Sequence, residues 1–240
     1  MGLFDYFFKQ RSATSPEGFN LQLRDKLVKY VLNVLTEPGG RIHIEDAISA
    51  AATIVAERCI DAAGDYPLRN HTFPPGARIF STKANQLICA NVSEGTIKDV
   101  PGNTIVGILR NRLDDKMYAD ADFPLLKVVF EKFAASIGKS EEWGRVPLSL
   151  PESHRPFIPP LRIGYETRKR VDRILEPIST DKLRCLQVAT EGLAEILRIG
   201  ADAFNRSLAL TLAIETINGM SKTAPFTGSH GKFDQKLPKK

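Results

Sequence analysis

Cysteine is rare in this sequence, and no apolar run is long enough to cross a membrane. The three cysteines, Cys59, Cys89 and Cys185, lie far apart and form no Cys-x-x-Cys pair. Neither a disulfide framework nor a zinc knuckle is therefore indicated, and free thiols suit a reducing cytoplasm. The longest strongly apolar run, 208–214, is far short of the roughly 20 residues that a membrane-spanning helix needs. We also expect no secretory signal, because the apolar start of the chain is short and contains Asp5.

Sequence motifs that bind phosphates or carry a nucleophile are also missing. There is no Gly-x-x-x-x-Gly-Lys phosphate loop, no glycine-rich dinucleotide turn and no Gly-x-Ser-x-Gly elbow. His43 and Glu45 match half of the zinc-deaminase signature, but its Pro-Cys-x-x-Cys half is absent. We therefore expect no metal ion and no cofactor, and we favour a non-enzymatic protein. The alternative is an enzyme with an unrecognised site in the helical core, which a buried pocket lined by two or more ionisable side chains would favour.

The positive charge of the chain is concentrated near its C-terminal end. Of 33 basic and 28 acidic residues, five basic residues and one acid fall in 222–240. The other residues then hold 28 basic and 27 acidic side chains, so the body of the chain is nearly neutral. Residues 221–240 are rich in lysine, glycine and proline and contain few apolar residues, which predicts a disordered basic tail.

One cluster of basic residues in the body of the chain is a candidate basic patch. It consists of Arg162, Arg168, Lys169, Arg170 and Arg173. Acidic residues interrupt it, which is typical of a solvated helix face. Together with the tail, the cluster supports nucleic-acid binding as a second alternative, which we place lower because the body is nearly neutral. A structure in which all five basic side chains share one exposed face would favour that alternative.

Helical periodicity dominates the rest of the sequence. Between 179 and 219 one apolar stripe recurs every three or four residues, through Leu186, Ala189, Leu193, Leu197, Ala201, Phe204, Leu208 and Leu212. Ser179 is a suitable N-cap for this region, and Gly200 marks either a kink or a hairpin that Asp202 recaps. Similar patterns predict helices at about 20–35, 45–63, 77–91, from Asn103, from Asp122 to Gly138 and at 165–175. We therefore predict a mainly α fold, with one multi-helix bundle-like domain over 19–220.

Proline is concentrated in one segment of this helical domain, 145–163. It contains Pro147, Pro151, Pro156, Pro159 and Pro160. These prolines forbid a regular helix and favour an extended path. The segment also contains six large apolar residues, which a solvated linker would not need. We therefore predict a proline-rich extended strap laid over the core.

The first 18 residues form an amphipathic segment and a linker. In a helix, Leu3, Phe4, Phe7 and Phe8 would share one apolar face. The Gly-Leu-Phe-Asp opening resembles that of short amphipathic peptides that lie on membranes, over fewer than a dozen residues. Because exposing four large apolar groups is unfavourable, we expect this face to dock on the protein's own body, on a partner or on a lipid surface.

These observations favour one function over two others. We expect a cytoplasmic, non-enzymatic helical protein that acts through protein–protein contacts. Its partner is expected to be another protein, with peripheral membrane contact through the N-terminal segment as a further alternative. Binding to nucleic acid is not expected, and the sequence does not indicate an oligomeric state.

Overall fold

Eight α-helices carry nearly all of the regular structure in the described part of the chain. The computed structural model describes residues 15–67, 73–90, 96–113, 117–137 and 146–226. The helices are α1 (Pro16–Leu35), α2 (Ile44–Ala63), α3 (Thr82–Cys89), α4 (Ile105–Arg112), α5 (Leu126–Ala135), α6 (Pro160–Leu175), α7 (Lys182–Gly200) and α8 (Arg206–Met220). Within those ranges there is no β-strand, so the predicted mainly α, multi-helix fold is confirmed. No helix in the same ranges is both long and apolar enough to cross a membrane.

Helix α2 is the centre of the fold. Of its 20 residues 16 are buried, and it packs most extensively against α7 and α8 and also contacts α6 and α3. Its many alanines let neighbouring helices approach closely on several sides. The helix ends at Gly64, which adopts a left-handed conformation with φ of 70°, as expected for a glycine cap.

Helices α7 and α8 are two separate helices joined by residues 201–205, and each packs on α2 rather than along the other, so the region is neither one kinked helix nor a hairpin. Helix α7 ends at Gly200, where an added Cβ would lie 2.6 Å from Ile44 at the start of α2. Asn205 caps α8 by accepting a hydrogen bond from the backbone N–H of Leu208 at 3.1 Å, so the predicted cap at Asp202 is wrong. At the other end of α7, Asp181 rather than Ser179 is the N-cap.

Most of the predicted apolar stripe lies in the core. Leu193, Leu197 and Phe204 are buried, whereas Leu208 is only half-buried because it lies in the first turn of α8. Helix α1 packs against α7 with its own apolar face. Val34, which the periodicity assigns to that inner face, is 48 % exposed because it lies in the last turn, where α1 passes beyond the core.

The predicted strap is present but ends earlier than expected. Residues 146–159, hereafter the strap, contain no α-helix; they include one 3-10 turn at Glu152–His154 and bends at 150, 155, 157 and 158. Pro160 begins α6, so the predicted strap end at 163 and the predicted helix start at 165 are wrong. Proline is tolerated in the first turn because the N–H that it lacks would have no partner there.

Both ends of the predicted helical domain need correction. Ser15 caps α1 by accepting a hydrogen bond from the N–H of Gly18 at 3.0 Å, so residues 16–18 of the predicted linker belong to the first helix. Residues 221–225 are buried, so the predicted disordered tail is wrong at its start. Residues 1–14 and 227–240 lie outside the described residues.

The start of the predicted tail is held by a short extended segment that was predicted to be helical. The backbone N–H of Ala224 donates to the carbonyl of Ala77 at 2.7 Å, and the N–H of Ile79 donates to the carbonyl of Lys222 at 2.9 Å. Residues 77–79 and 222–224 thus provide hydrogen-bond partners for each other's backbone groups. As a result, residues 77–81 are extended and α3 begins only at Thr82.

Candidate functional site

A cleft of 690 Å³ lies between the end of α1, the start of α2 and the strap. We call it the strap cleft. Its apolar lining includes Val34, Leu35, Pro156, Phe157 and Ile158. Its ionisable lining includes Glu37, His43, Asp46, Glu152 and Arg155. The cleft therefore combines an apolar surface with several charges.

Two large apolar side chains are exposed in the strap cleft. Phe157 of the strap is 62 % exposed, and Val34 of α1 is 48 % exposed. The ring of His43 contacts the Phe157 ring edge-on, with 4.6 Å between the ring centroids. Phe157 thus has a defined neighbour on one side and a large solvent-exposed area on the other.

The strap is fixed beside Phe157 by a buried carboxylate. Asp46, in the first turn of α2, is 5 % exposed and accepts a hydrogen bond from the backbone N–H of Ile158 at 2.9 Å. Burial raises the pKa of Asp46 above its usual value, although hydrogen bonds from the N–H groups of Ile158 and Phe157 act in the opposite direction. The position of the Phe157 backbone is therefore determined by α2.

A second buried carboxylate fixes the strap at Ser149, nine residues before Ile158. Glu215 of α8 is 4 % exposed and accepts hydrogen bonds from the backbone N–H of Ser149 at 2.6 Å and from its hydroxyl at 2.5 Å. Lys132 of α5 also donates to that hydroxyl, at 2.7 Å. The strap is thus tied to α8 near its start and to α2 near its end.

Negative charge predominates among the described residues that line the strap cleft. Three carboxylates, Glu37, Asp46 and Glu152, face one guanidinium, that of Arg155. Glu37 lies 3.4 Å from Nε2 of His43, and both side chains are nearly half exposed. With His43 neutral, the described lining has a net charge of −2. Such a surface favours positively charged ligands.

A second cleft, of 460 Å³, lies between α2, α6 and the start of α7, and we call it the α6 cleft. Its described charges balance: Arg58, Arg173 and Lys182 face Asp61, Asp172 and Glu176. Arg58 is 4 % exposed, and its Nη1 lies 2.8 Å from Asp172 and 3.3 Å from Asp61. Because positive and negative side chains are equal in number, the described lining of this cleft has no preference for one sign of charge.

The candidate basic patch does not form one exposed face. Arg168 is directed inward: its Nη2 and Nε donate to the buried carboxylate of Glu57 at 2.7 and 3.0 Å. Arg162 pairs with Glu166 at 2.6 Å on the same helix. Lys169, Arg170 and Arg173 are exposed. The N-terminal candidates Leu3, Phe4, Phe7 and Phe8 lie outside the described residues.

The thiols are not placed for nucleophilic chemistry. All three cysteines are free and buried. Burial raises the pKa of Cys59 to about 12 and that of Cys89 to about 11, and it also raises the pKa of Cys185. A thiol with a raised pKa is a poor nucleophile. In the part of the chain that the structure describes, no group of three His, Cys, Asp or Glu side chains could hold a metal ion.

Sequence reasoning did not identify the strap cleft. The sequence places Phe157 in the strap and Val34 on α1, but their separation of more than 120 residues conceals that they share a cleft. Local sequence gives Asp46 only the role of a negative charge in the first turn of α2. In the sequence, the one indication of this site is a large aromatic residue, Phe157, within a proline-rich segment. Compared with protein-family models, curated proteins and solved structures, the chain matches none.

Proposed function

We propose that this protein is a non-enzymatic helical protein that recognises another protein, and that the strap cleft is its recognition site. The main support for this proposal is the exposure of Phe157, whose large aromatic side chain is 62 % exposed. The strap that carries it is held by hydrogen bonds at Ser149, before Phe157, and at Ile158, after it. The ligand we propose is a positively charged segment of the partner that carries a large apolar side chain. We place the protein in the cytoplasm, because its cysteines are free.

The fixed position of the strap supports a recognition role. Binding costs free energy when a flexible segment must be ordered, and a preorganised surface avoids much of that cost. Ser149 and Ile158 are held by the buried carboxylates of Glu215 and Asp46. Phe157 is therefore presented in one place before a ligand arrives.

The chemistry of the cleft determines the proposed ligand. Aromatic side chains in partly enclosed sites supply much of the free energy of protein–protein binding, and Phe157 and Val34 offer such a surface. The carboxylates of Glu37 and Glu152 lie in the same cleft. Charges of this kind steer a cationic ligand and select against an anionic one.

A pair of synthetic peptides tests the proposal. One peptide alternates lysine with phenylalanine, and the other replaces each lysine by glutamate at the same length. Fluorescence anisotropy at low salt measures the binding of each labelled peptide to the full-length protein. We expect saturable binding of the lysine peptide only, weakened about tenfold or more by Phe157→Ala. Equal binding of both peptides would contradict the proposal.

Phe80 offers a matched control for Phe157. It is 68 % exposed, and it lies close to Ile60, at the opposite end of α2 from Asp46. The variant Phe80→Ala removes the same side chain from another part of the surface. We expect it to bind the lysine peptide as the wild-type protein does. An equal loss of affinity in both variants would show that binding depends on general hydrophobicity rather than on the strap cleft.

An enzyme is the second candidate, because the strap cleft is lined by several ionisable side chains. His43 pairs with Glu37, and Asp46 has a raised pKa in the same cleft. Such groups serve as general acids and bases. The carboxylate of Asp46 is, however, already used to hold the strap backbone. Mass spectrometry of a metabolite mixture tests this candidate: consumption by the wild-type protein but not by His43→Ala would favour the enzyme.

A lipid surface as a further partner rests on the sequence of the N-terminal segment. Sedimentation with anionic vesicles compares the full chain with a variant that lacks residues 1–10. We expect the full chain to pellet more, because Leu3, Phe4, Phe7 and Phe8 would insert into the headgroup layer. Equal pelleting of both forms would exclude lipid as the ligand of this segment.

A further inference from the structure

We propose that residues 227–240, hereafter the lysine segment, bind in the strap cleft of the same chain and compete with the partner. This inference rests on the proposed function, because it assigns an intramolecular regulator to the same site. Three observations support it: the position of Phe226, the distance from Phe226 to the cleft, and the complementary charges of the two surfaces.

Phe226 is anchored beside the first turns of α6. Nη1 of Arg168 donates a hydrogen bond to the Phe226 carbonyl at 2.5 Å, and Arg168 is itself held by Glu57. The Phe226 ring contacts the ring of Tyr165 edge-on, with 4.9 Å between centroids. The lysine segment therefore begins next to α6, the helix into which the strap leads.

The strap cleft is within reach of this anchor. Tyr165 is five residues after Pro160, which corresponds to roughly 8 Å along a helix. Phe157 and Ile158 come two and three residues before Pro160. The lysine segment has 14 residues, and an extended chain of that length spans about 46 Å. The path from Tyr165 back to Phe157 is thus at most about 18 Å, and the extended segment exceeds it more than twofold.

The lysine segment matches the chemistry of the strap cleft. It contains Lys232, Lys236, Lys239 and Lys240 against one acid, Asp234. It also contains Phe233, adjacent to Lys232, and Leu237. An aromatic side chain next to a lysine fits a cleft in which Phe157 and Val34 are exposed beside Glu37 and Glu152. The α6 cleft has balanced charges and offers no such preference.

A full-length variant with a neutral segment tests this inference. Its lysines 232, 236, 239 and 240 and Phe233 are all replaced by serine. A labelled synthetic peptide of residues 227–240 is titrated into this variant and into the wild-type protein. We expect the peptide to bind the variant about tenfold more tightly, because the wild-type cleft is already occupied. Equal affinity for both proteins would overturn the inference.

Substitutions in the cleft locate the bound peptide. In the neutral-segment variant, Phe157→Ala and the pair Glu37→Gln and Glu152→Gln should each weaken binding about tenfold or more. Phe80→Ala and Glu131→Gln, both at exposed sites outside the strap cleft, are the matched controls and should leave it unchanged. Loss of affinity in the controls only, or in no variant, would overturn the proposed site.

Two further outcomes separate this inference from the proposed function and from dimerisation. If the alternating lysine–phenylalanine peptide binds through Phe157 but the 227–240 peptide does not, only the inference about the lysine segment fails. If the 227–240 peptide binds and the alternating peptide does not, the proposed function fails while the intramolecular contact stands. A wild-type dimer that the neutral-segment variant loses, measured by light scattering, would show that the segment binds a second copy instead.

Discussion

The carboxylate of Glu215 accepts two hydrogen bonds from Ser149, one from the backbone N–H at 2.6 Å and one from the hydroxyl at 2.5 Å. Glu215 belongs to the last helix of the described fold, and Ser149 belongs to the strap. This contact and the one between Asp46 and Ile158 place the exposed ring of Phe157. The buried carboxylates of α2 and α8 thus link the core to the candidate binding surface.

Removal of Glu215 should destabilise the fold. The variant Glu215→Ala leaves the Ser149 N–H without its partner, and we expect a loss of about 2–3 kcal/mol in the free energy of unfolding. Urea denaturation followed by circular dichroism measures it. The control Glu131→Ala removes a carboxylate from an exposed pair and should change stability by less than about 0.5 kcal/mol. Similar losses in both variants would show that the Ser149 contact is not important for stability.

Lys222 should make stability depend on alkaline pH. Burial lowers the pKa of Lys222 from 10.5 to about 8, while its ammonium lies 4.2 Å from the Phe130 ring centroid, a contact that favours the charged form. Because the folded-state pKa is the lower one, the unfolded chain binds the proton first as the pH falls. The contribution of Lys222 to stability therefore rises between about pH 8 and 10.5, by up to about 3 kcal/mol.

The variant Lys222→Met isolates this contribution. Cys59 and Cys89 act in the opposite direction, because burial raises their pKa values and their stabilising effect is lost as the pH rises. We therefore expect the stability difference, wild type minus Lys222→Met, to increase from pH 8 to pH 10 in urea denaturation. The exposed residue Lys169 supplies the control, and Lys169→Met should show no such trend. A flat difference for Lys222→Met would contradict the prediction.

Two glycines in helices should respond differently to alanine. A methyl group on Gly164 would lie 2.6 Å from Oε1 of Glu57, which Arg168 holds in place. We expect Gly164→Ala to cost about 1–2 kcal/mol despite its better helix propensity. At Gly192 the nearest atom, Cδ2 of Leu27, would be 3.3 Å away, so Gly192→Ala should stay within about 1 kcal/mol of the wild type. Thermal denaturation compares them, and the reverse order would contradict the packing described around Glu57.

Two truncations should show which part of the C-terminal region contributes to stability. A chain that ends after Met220 loses the bridge between Thr223 and Arg78 and the buried residue Ala224. We expect a clear drop in melting temperature for that chain. A chain that ends after Phe226 keeps these contacts and should melt within a few degrees of the wild type. Equal melting temperatures for the two truncations would show that residues 221–226 do not contribute to stability.

Local patterns in the sequence predicted the helices but not the contacts between distant parts of the chain. The spacing of Leu193 and Leu197 depends only on helical geometry, so their burial followed from the sequence. The direction of Arg168 depends on Glu57, which is 111 residues away. The burial of Lys222 depends on pairing with 77–79, which no local pattern in a lysine-rich segment reveals.

The candidate site was hidden for the same reason. Phe157 stands in a segment that the prolines marked as extended, but an extended segment can turn an aromatic side chain inward or outward. Its outward position follows from hydrogen bonds to Asp46 and, earlier in the strap, to Glu215. Those partners lie 112 and 66 residues from the strap residues that they hold. Such pairings arise from the tertiary fold, which local sequence does not specify.

Nuclear magnetic resonance shows residue by residue whether the strap cleft binds a cationic apolar segment. The alternating lysine–phenylalanine peptide is titrated into the isotope-labelled neutral-segment variant, and backbone amide signals are followed. We expect the shifts to concentrate at Val34, Glu37, Glu152 and Phe157 and to vanish with the matched glutamate peptide. Shifts centred on Arg173 and Lys182 in the α6 cleft, or no saturable shifts at the strap cleft, would contradict the proposal.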